Sequence, residues 1–93
     1  MTDRITKGFE LLNKFFEDNP NWKKSIDFDK FDMFDLEHGN DILSMLFGDF
    51  MEAVWMLDRF LHTQVNIINY GLTYREDDDR ITFNNEWKRF LLK

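Results

Sequence analysis

Residues 41–61 read Asp41-Ile-Leu-Ser-Met-Leu-Phe-Gly-Asp-Phe-Met-Glu-Ala-Val-Trp-Met-Leu-Asp-Arg-Phe-Leu61, and no other stretch of the chain is apolar enough to be a fully engaged core helix. From Ile42, apolar side chains return at Leu46, Phe50, Val54, Leu57 and Leu61. A second row, Leu43, Phe47, Met51 and Trp55, flanks the first and widens the face that must be covered. On this pattern Leu46, Phe50 and Trp55 are expected to be nearly inaccessible. The run does not read as a membrane span, because Asp49, Glu52, Asp58 and Arg59 interrupt it and each charge at bilayer depth costs on the order of 3 kcal/mol. Gly48-Asp49 is a helix stop followed by an N-cap residue, so a break or kink is expected there.

The flanking chain supplies further helices to pack on this spine. Asp3 reads as the N-cap of a helix reaching Asp18, with Ile5, Phe9, Leu12 and Phe16 on one stripe and Leu11 and Phe15 at its margin. Asn19-Pro20 stops it, since the residue before proline is pushed out of the α region. A short helix around Trp22 to Ile26 follows. From Asp27 to Asn40 aromatics alternate with acids at spacings of two and three, which fits neither helix nor strand and predicts an irregular segment pinned by Phe28, Phe31, Phe34 and Leu36. Asn40 or Asp41 then caps the spine. Beyond it, Thr63 is expected to cap a short helix ended by Gly71. Residues 72–83 read either as a small β-hairpin around Glu76-Asp77-Asp78-Asp79 or as a loop leading into a helix. A last helix is expected from Asn84 to Leu92, with Lys88, Arg89 and Lys93 near its C-terminal dipole. The expected fold is therefore mainly α: a compact single-domain bundle of four or five helices over residues 1–93, with at most one short hairpin at 72–83.

With 93 residues and no cysteine, such a domain must be stabilised by burial alone, and eleven Phe and three Trp answer that need. Absence of cysteine removes zinc-ribbon, thiol-redox and cysteine-nucleophile chemistry and fits a reducing cytoplasm. The opening residues contain no apolar export signal. The net charge of −6 is concentrated: residues 26–52 carry eight acids against Lys30 alone. Such a surface repels phosphate backbones, so the expected partner is a protein with a basic surface, with no direct nucleic acid and no membrane. Within this band Asp27, Asp29, Asp32, Asp35 and Glu37 are the candidate partner-binding residues.

Catalytic and metal-binding signatures are weak. Counted from Asp27, an EF-hand would need glycine at Asp32 and glutamate at His38, so the acidic row reads as a solvated face and no metal or cofactor is expected. Asp49 is explained by an N-cap. His38 and His62 lack metal-ligand spacing, and Ser25 and Ser44 lack a nucleophile elbow. No enzymatic activity is expected. The methionines at 45, 51 and 56 read first as core filler and second as an adaptable binding surface.

Taken together, Pro20-Asn21-Trp22, Ile26-Asp27-Phe28, Leu46-Phe47-Gly48-Asp49-Phe50, Tyr70-Gly71-Leu72 and Trp87 resemble a family of small bacteriophage and actinobacterial proteins. That family shows Pro-Gly-Trp, Ile-Asp-Leu, Leu-Gly-Gln-Leu-Phe-Gly-Asp-Tyr, Tyr-Gly-Phe and a late Trp. The chain departs from the pattern at Asn21 for glycine, Asp41 for cysteine and Met45 for glutamine. The resemblance implies a phage or prophage origin and supplies no mechanism. With the charge layout, it leads to the expectation of a non-enzymatic inhibitor or modulator, of anti-defence type, acting in the host cytoplasm on a protein whose basic surface handles nucleic acid. The alternative is a small structural or accessory protein that self-associates into a homo-oligomer through exposed aromatics.

Overall fold

The computed structural model describes residues 2–92. Among these residues four α-helices, α1 (Thr2–Phe15), α2 (Ile42–Phe47), α3 (Phe50–Leu61) and α4 (Arg80–Leu91), are joined by turns and by a 3₁₀ helix at Trp22–Ser25. No strand forms among the described residues, and none of their helices is long and apolar enough to cross a membrane.

The spine is broken where its sequence says it should be. Gly48 takes φ 87°, a left-handed conformation that a Cβ penalises, and its N–H donates to the Ser44 carbonyl. Asp49 follows in an extended conformation, and its carboxylate accepts the Glu52 N–H at 2.9 Å. Asp41 starts α2 in the same way, accepting the Ser44 N–H at 3.2 Å.

Around this corner α2 packs on α3 and on the 3₁₀ helix, while α1 packs on α4. Ile5, Leu12, Ile42, Leu43, Leu57 and Leu72 are fully enclosed, each burial contributing about 1.5–3 kcal/mol. Trp22 and Trp87 are enclosed as well, and each indole N–H is satisfied: Trp22 donates to Asn13 Oδ1 at 2.9 Å and Trp87 to the Gly71 carbonyl at 2.7 Å. The segment around Gly71 lies backbone to backbone against α1. A Cβ on Gly71 would stand 2.9 Å from the Arg4 backbone, and one on Gly8 would stand 2.0 Å from the Tyr70 carbonyl oxygen. Gly8 thus weakens α1 locally in exchange for letting the Tyr70-Gly71-Leu72 strap approach it.

Several expectations need correction. Helix α1 starts at Thr2, so Asp3 lies in its first turn rather than capping it. Residues 63–70 form turns instead of a capped helix, because their amides are drawn back onto the end of α3: Thr63 N–H donates to the Asp58 carbonyl at 3.1 Å and Val65 N–H to Asp58 Oδ1 at 2.6 Å. Of the two readings of 72–83, the hairpin does not form and the loop leading into a helix does. The hairpin's first limb spends the Thr73 carbonyl on Arg4 and the Arg75 N–H on Asp78, and its second limb is already helix, begun at Arg80 by the Asp79 cap on Thr82. Lys88 and Arg89 occupy the last turn of α4, and Lys93 lies outside the described residues.

The largest correction concerns the buried face of the spine. Trp55 is 59% exposed, and Leu46 and Phe50 are only half-buried. A left-handed residue at Gly48 re-aims the chain, so the row Leu43, Phe47, Met51, Trp55 does not continue as one face through the corner. Helix α3 turns Ala53 inward together with Leu57, which belongs to the first expected row, and Val54 and Leu61 of that row pack against the core from its edge.

Candidate protein-docking surfaces

The acidic segment 27–40 is held by its own carboxylates, and this sorts the candidate residues into two groups. Asp32 is a hub: Oδ1 accepts Asn84 Nδ2 at 2.9 Å and the Phe34 N–H at 3.0 Å, while Oδ2 is paired with Arg80. Partial burial alone would raise its pKa, but the hydrogen bonds from Arg80, Asn84 and Phe34 outweigh it and hold the group below the ordinary carboxylate range. Asn84 completes the connection by accepting the Met33 N–H at 2.8 Å. Asp35 accepts from the His38 ring at 2.8 Å and from Asn40 Nδ2 at 2.8 Å, and these bonds likewise lower its pKa. Both groups therefore pin the segment. Asp27, Asp29 and Glu37 are exposed, with the Asp27 carboxylate accepting the local Asp29 N–H at 3.1 Å. Farther along, Asp49 and Glu52 are exposed too.

The outer side of α3 is the second surface. Met51 is 70% exposed, and Met56 and Phe60 join Trp55 on the same side. The Arg59 guanidinium carbon lies 4.9 Å from the centre of the Trp55 ring, a cation–π contact that holds the charge over the apolar patch. Phe60 meets Phe15 edge-on at 5.1 Å, which anchors one margin of the patch to α1. Isolated exposed apolar residues are ordinary, but here four large ones stand along the outer half of a single helix, on either side of Glu52 and Arg59. Leaving Trp55 in water forgoes about 2–3 kcal/mol of burial that an inward orientation would supply.

A third feature is a recess of about 180 Å³ lined by Arg4, Arg75, Asp77, Asp78, Thr82 and Glu86. Its charges are mostly spent on each other. Arg4 donates to both Asp78 carboxylate oxygens, at 3.0 and 3.2 Å, and to the carbonyls of Thr73 and Ile68, tying α1 to the loop before α4. The enclosed Glu86 Oε2 has no hydrogen-bond partner among the described residues, but the space is below the ~300 Å³ at which small-molecule sites begin. We read the recess as the seam of a structural clamp.

His38 and His62 remain apart in role as in sequence. His38 is an exposed partner of Asp35, and His62 is the left-handed C-cap of α3 at φ 58°. No hydroxyl is hydrogen-bonded to either imidazole, and no group of three His, Asp or Glu side chains is placed to hold a metal ion, among the described residues. Sequence reasoning missed the outward α3 patch and the Asp32–Arg80 link. The second had a signal available, an acidic stretch at 26–52 and a basic one at 80–93 in one small chain. Pro20-Asn21-Trp22, Leu46-Phe47-Gly48-Asp49-Phe50 and Tyr70-Gly71-Leu72 fall at structural points: the Trp22 turn, the α2–α3 corner and the Gly71 strap on Trp87. Compared with family models, with curated proteins and with solved structures, the chain finds no match.

Proposed function

We propose that this chain is a non-enzymatic protein-binding module of phage type, an inhibitor or modulator of a host protein whose basic surface normally holds nucleic acid. The observation that supports this reading is the sorting of the carboxylates. Asp32, Asp35 and Asp41 are used or enclosed by the fold and Asp49 caps α3, whereas Asp27, Asp29 and Glu37 stay exposed, with Lys30 the sole lysine or arginine in residues 26–52. Core packing gives no reason to carry these outward charges, which raise self-repulsion in the compact state. A basic groove gives one, because complementary charge accelerates encounter and competes with phosphate.

The test replaces Asp27, Asp29 and Glu37 with Asn, Asn and Gln. Asp32 and Asp35 are unsuitable probes, since losing them would loosen the segment itself. Against a partner captured from host lysate, the triple variant should associate roughly tenfold more slowly at low salt, and the difference should vanish as salt screens the charges. Equal on-rates at low salt would sink the reading. The second reading, self-association through exposed aromatics, is favoured by the outer side of α3.

A further inference from the structure

The six exposed positions of α3 are Met51, Glu52, Trp55, Met56, Arg59 and Phe60. Their pattern is symmetric about a point midway between Trp55 and Met56. At 100° per residue, Glu52 and Arg59 lie on the midline of the outward side, Met51 and Trp55 on one margin and Met56 and Phe60 on the other. At 1.5 Å per residue, Glu52 sits about 5 Å before the midpoint and Arg59 about 5 Å after it. We propose that the occupant of this surface is a second copy of the chain, docked through α3 antiparallel to α3 about a two-fold axis that passes between Trp55 and Met56.

The argument is one of self-complementarity. Reversing the direction of a second α3 brings its Arg59 level with Glu52 of the first, and its Glu52 level with Arg59, so one contact forms twice. A two-fold axis perpendicular to both helices also sets each apolar margin against its own copy, Trp55 beside Trp55 and Met56 beside Met56. A parallel arrangement would place Glu52 on Glu52 and Arg59 on Arg59, and like charges facing each other are strongly disfavoured. Arg59 is already held over Trp55, so little ordering is required of its side chain. A twelve-residue helix offers less than the ~800 Å² per partner of a standard stable interface, so the dimer forms reversibly and in proportion to concentration. The inference stands on α3 alone and does not depend on the acidic surface. A dimer would present that surface twice.

Sedimentation equilibrium of the full chain over a concentration series tests it, with circular dichroism as the control for folding. The parent should pass from monomer to dimer without larger species. Glu52→Arg and Arg59→Glu each set like charges against each other at both contacts, and each should weaken dimerisation by at least about tenfold. Mixed in equal amounts, the two variants should recover association, because one chain then carries two cations where the other carries two anions. Trp55→Ser should abolish the dimer while the monomer keeps its helical spectrum. A parent that stays monomeric at every concentration would overturn the proposal, leaving α3 bare or committed to another protein. A dimer indifferent to both charge reversals, or single variants that do not rescue each other, would overturn the antiparallel register.

Discussion

Helices α2 and α3 come from one apolar run, obey the same end rules and meet opposite fates. Each opens on an aspartate that accepts an amide three residues ahead, and each closes on a left-handed residue, Gly48 for α2 and His62 for α3. Yet α2 begins with Ile42, Leu43 and Ser44 all buried, whereas α3 buries Ala53 and Leu57 and gives Met51 and Trp55 to solvent. Apolar periodicity states that a helix has something to cover. It does not state whether the cover comes from the same chain. The four residues that α3 leaves outward are as apolar as those α2 buries, and that is the physical reason to treat them as a contact surface.

The largest expected effect sets inward against outward positions on α3. Leu57→Ala, or Leu43→Ala on α2, should cost about 2–5 kcal/mol in chemical denaturation, which is most of the stability of a domain this small. Trp55→Ala, two residues from Leu57, should cost the monomer about 1 kcal/mol or less. A Trp55→Ala loss as large as that of Leu57→Ala would abolish the contrast between the two sides of the helix.

The next effect separates the two N-caps. Asp49→Ala should cost about 1 kcal/mol, the usual value of an exposed cap. At Asp41 the response depends on pH. Its carboxylate is enclosed, Oδ1 has no hydrogen-bond partner among the described residues, and desolvation raises its pKa despite the bonds from Ser44. The folded state then binds the proton more tightly than the unfolded state. Stability from this group is present at low pH and falls as pH rises from the ordinary carboxylate value through the raised one. Asp32 acts in the opposite sense, its contribution being lost as pH falls, because its pKa is lowered. Asp41→Asn keeps an acceptor for the Ser44 N–H and should remove the descending limb from a plot of stability against pH. An unchanged limb would assign it to another group.

The smallest effect compares the C-caps. Gly48 adopts its positive φ at no steric cost, while His62 carries a Cβ at φ 58°. His62→Gly should therefore stabilise the chain by about 0.5–1 kcal/mol, read as a higher denaturation midpoint. No gain, or a loss, would mean that the His62 side chain makes contacts worth the strain.

These contrasts show where the sequence was readable. The helical class, the break at Gly48, the caps at Asp41 and Asp49, the irregular segment 27–40 and the short helical turn at Trp22 all rest on rules that act within a few residues. The outward turn of Met51 and Trp55 was not readable, because the corner at Gly48 re-aims the second apolar row and only tertiary packing fixes its new direction, whereas Leu57 of the first row lies inward as its spacing requires. The same holds for the candidate site. Asp32 is drawn in by Arg80 and Asn84, 48 and 52 residues away, and between the hairpin and the loop readings of 72–83 the choice is made by Arg4 reaching Asp78, 74 residues away. Contacts of that separation leave no local pattern.

The central claim, that the outward side of α3 docks on a second copy of the chain, is tested most directly by quenching tryptophan fluorescence with a soluble quencher as protein concentration rises. Trp22 and Trp87 are enclosed and Trp55 is the exposed indole, so dilute protein should show one readily quenched population and one protected population. As concentration rises, the quenched population should shrink and its emission shift to the blue, and Glu52→Arg should keep it accessible throughout. A Trp55 signal that remains equally quenchable from the most dilute to the most concentrated sample would contradict the account.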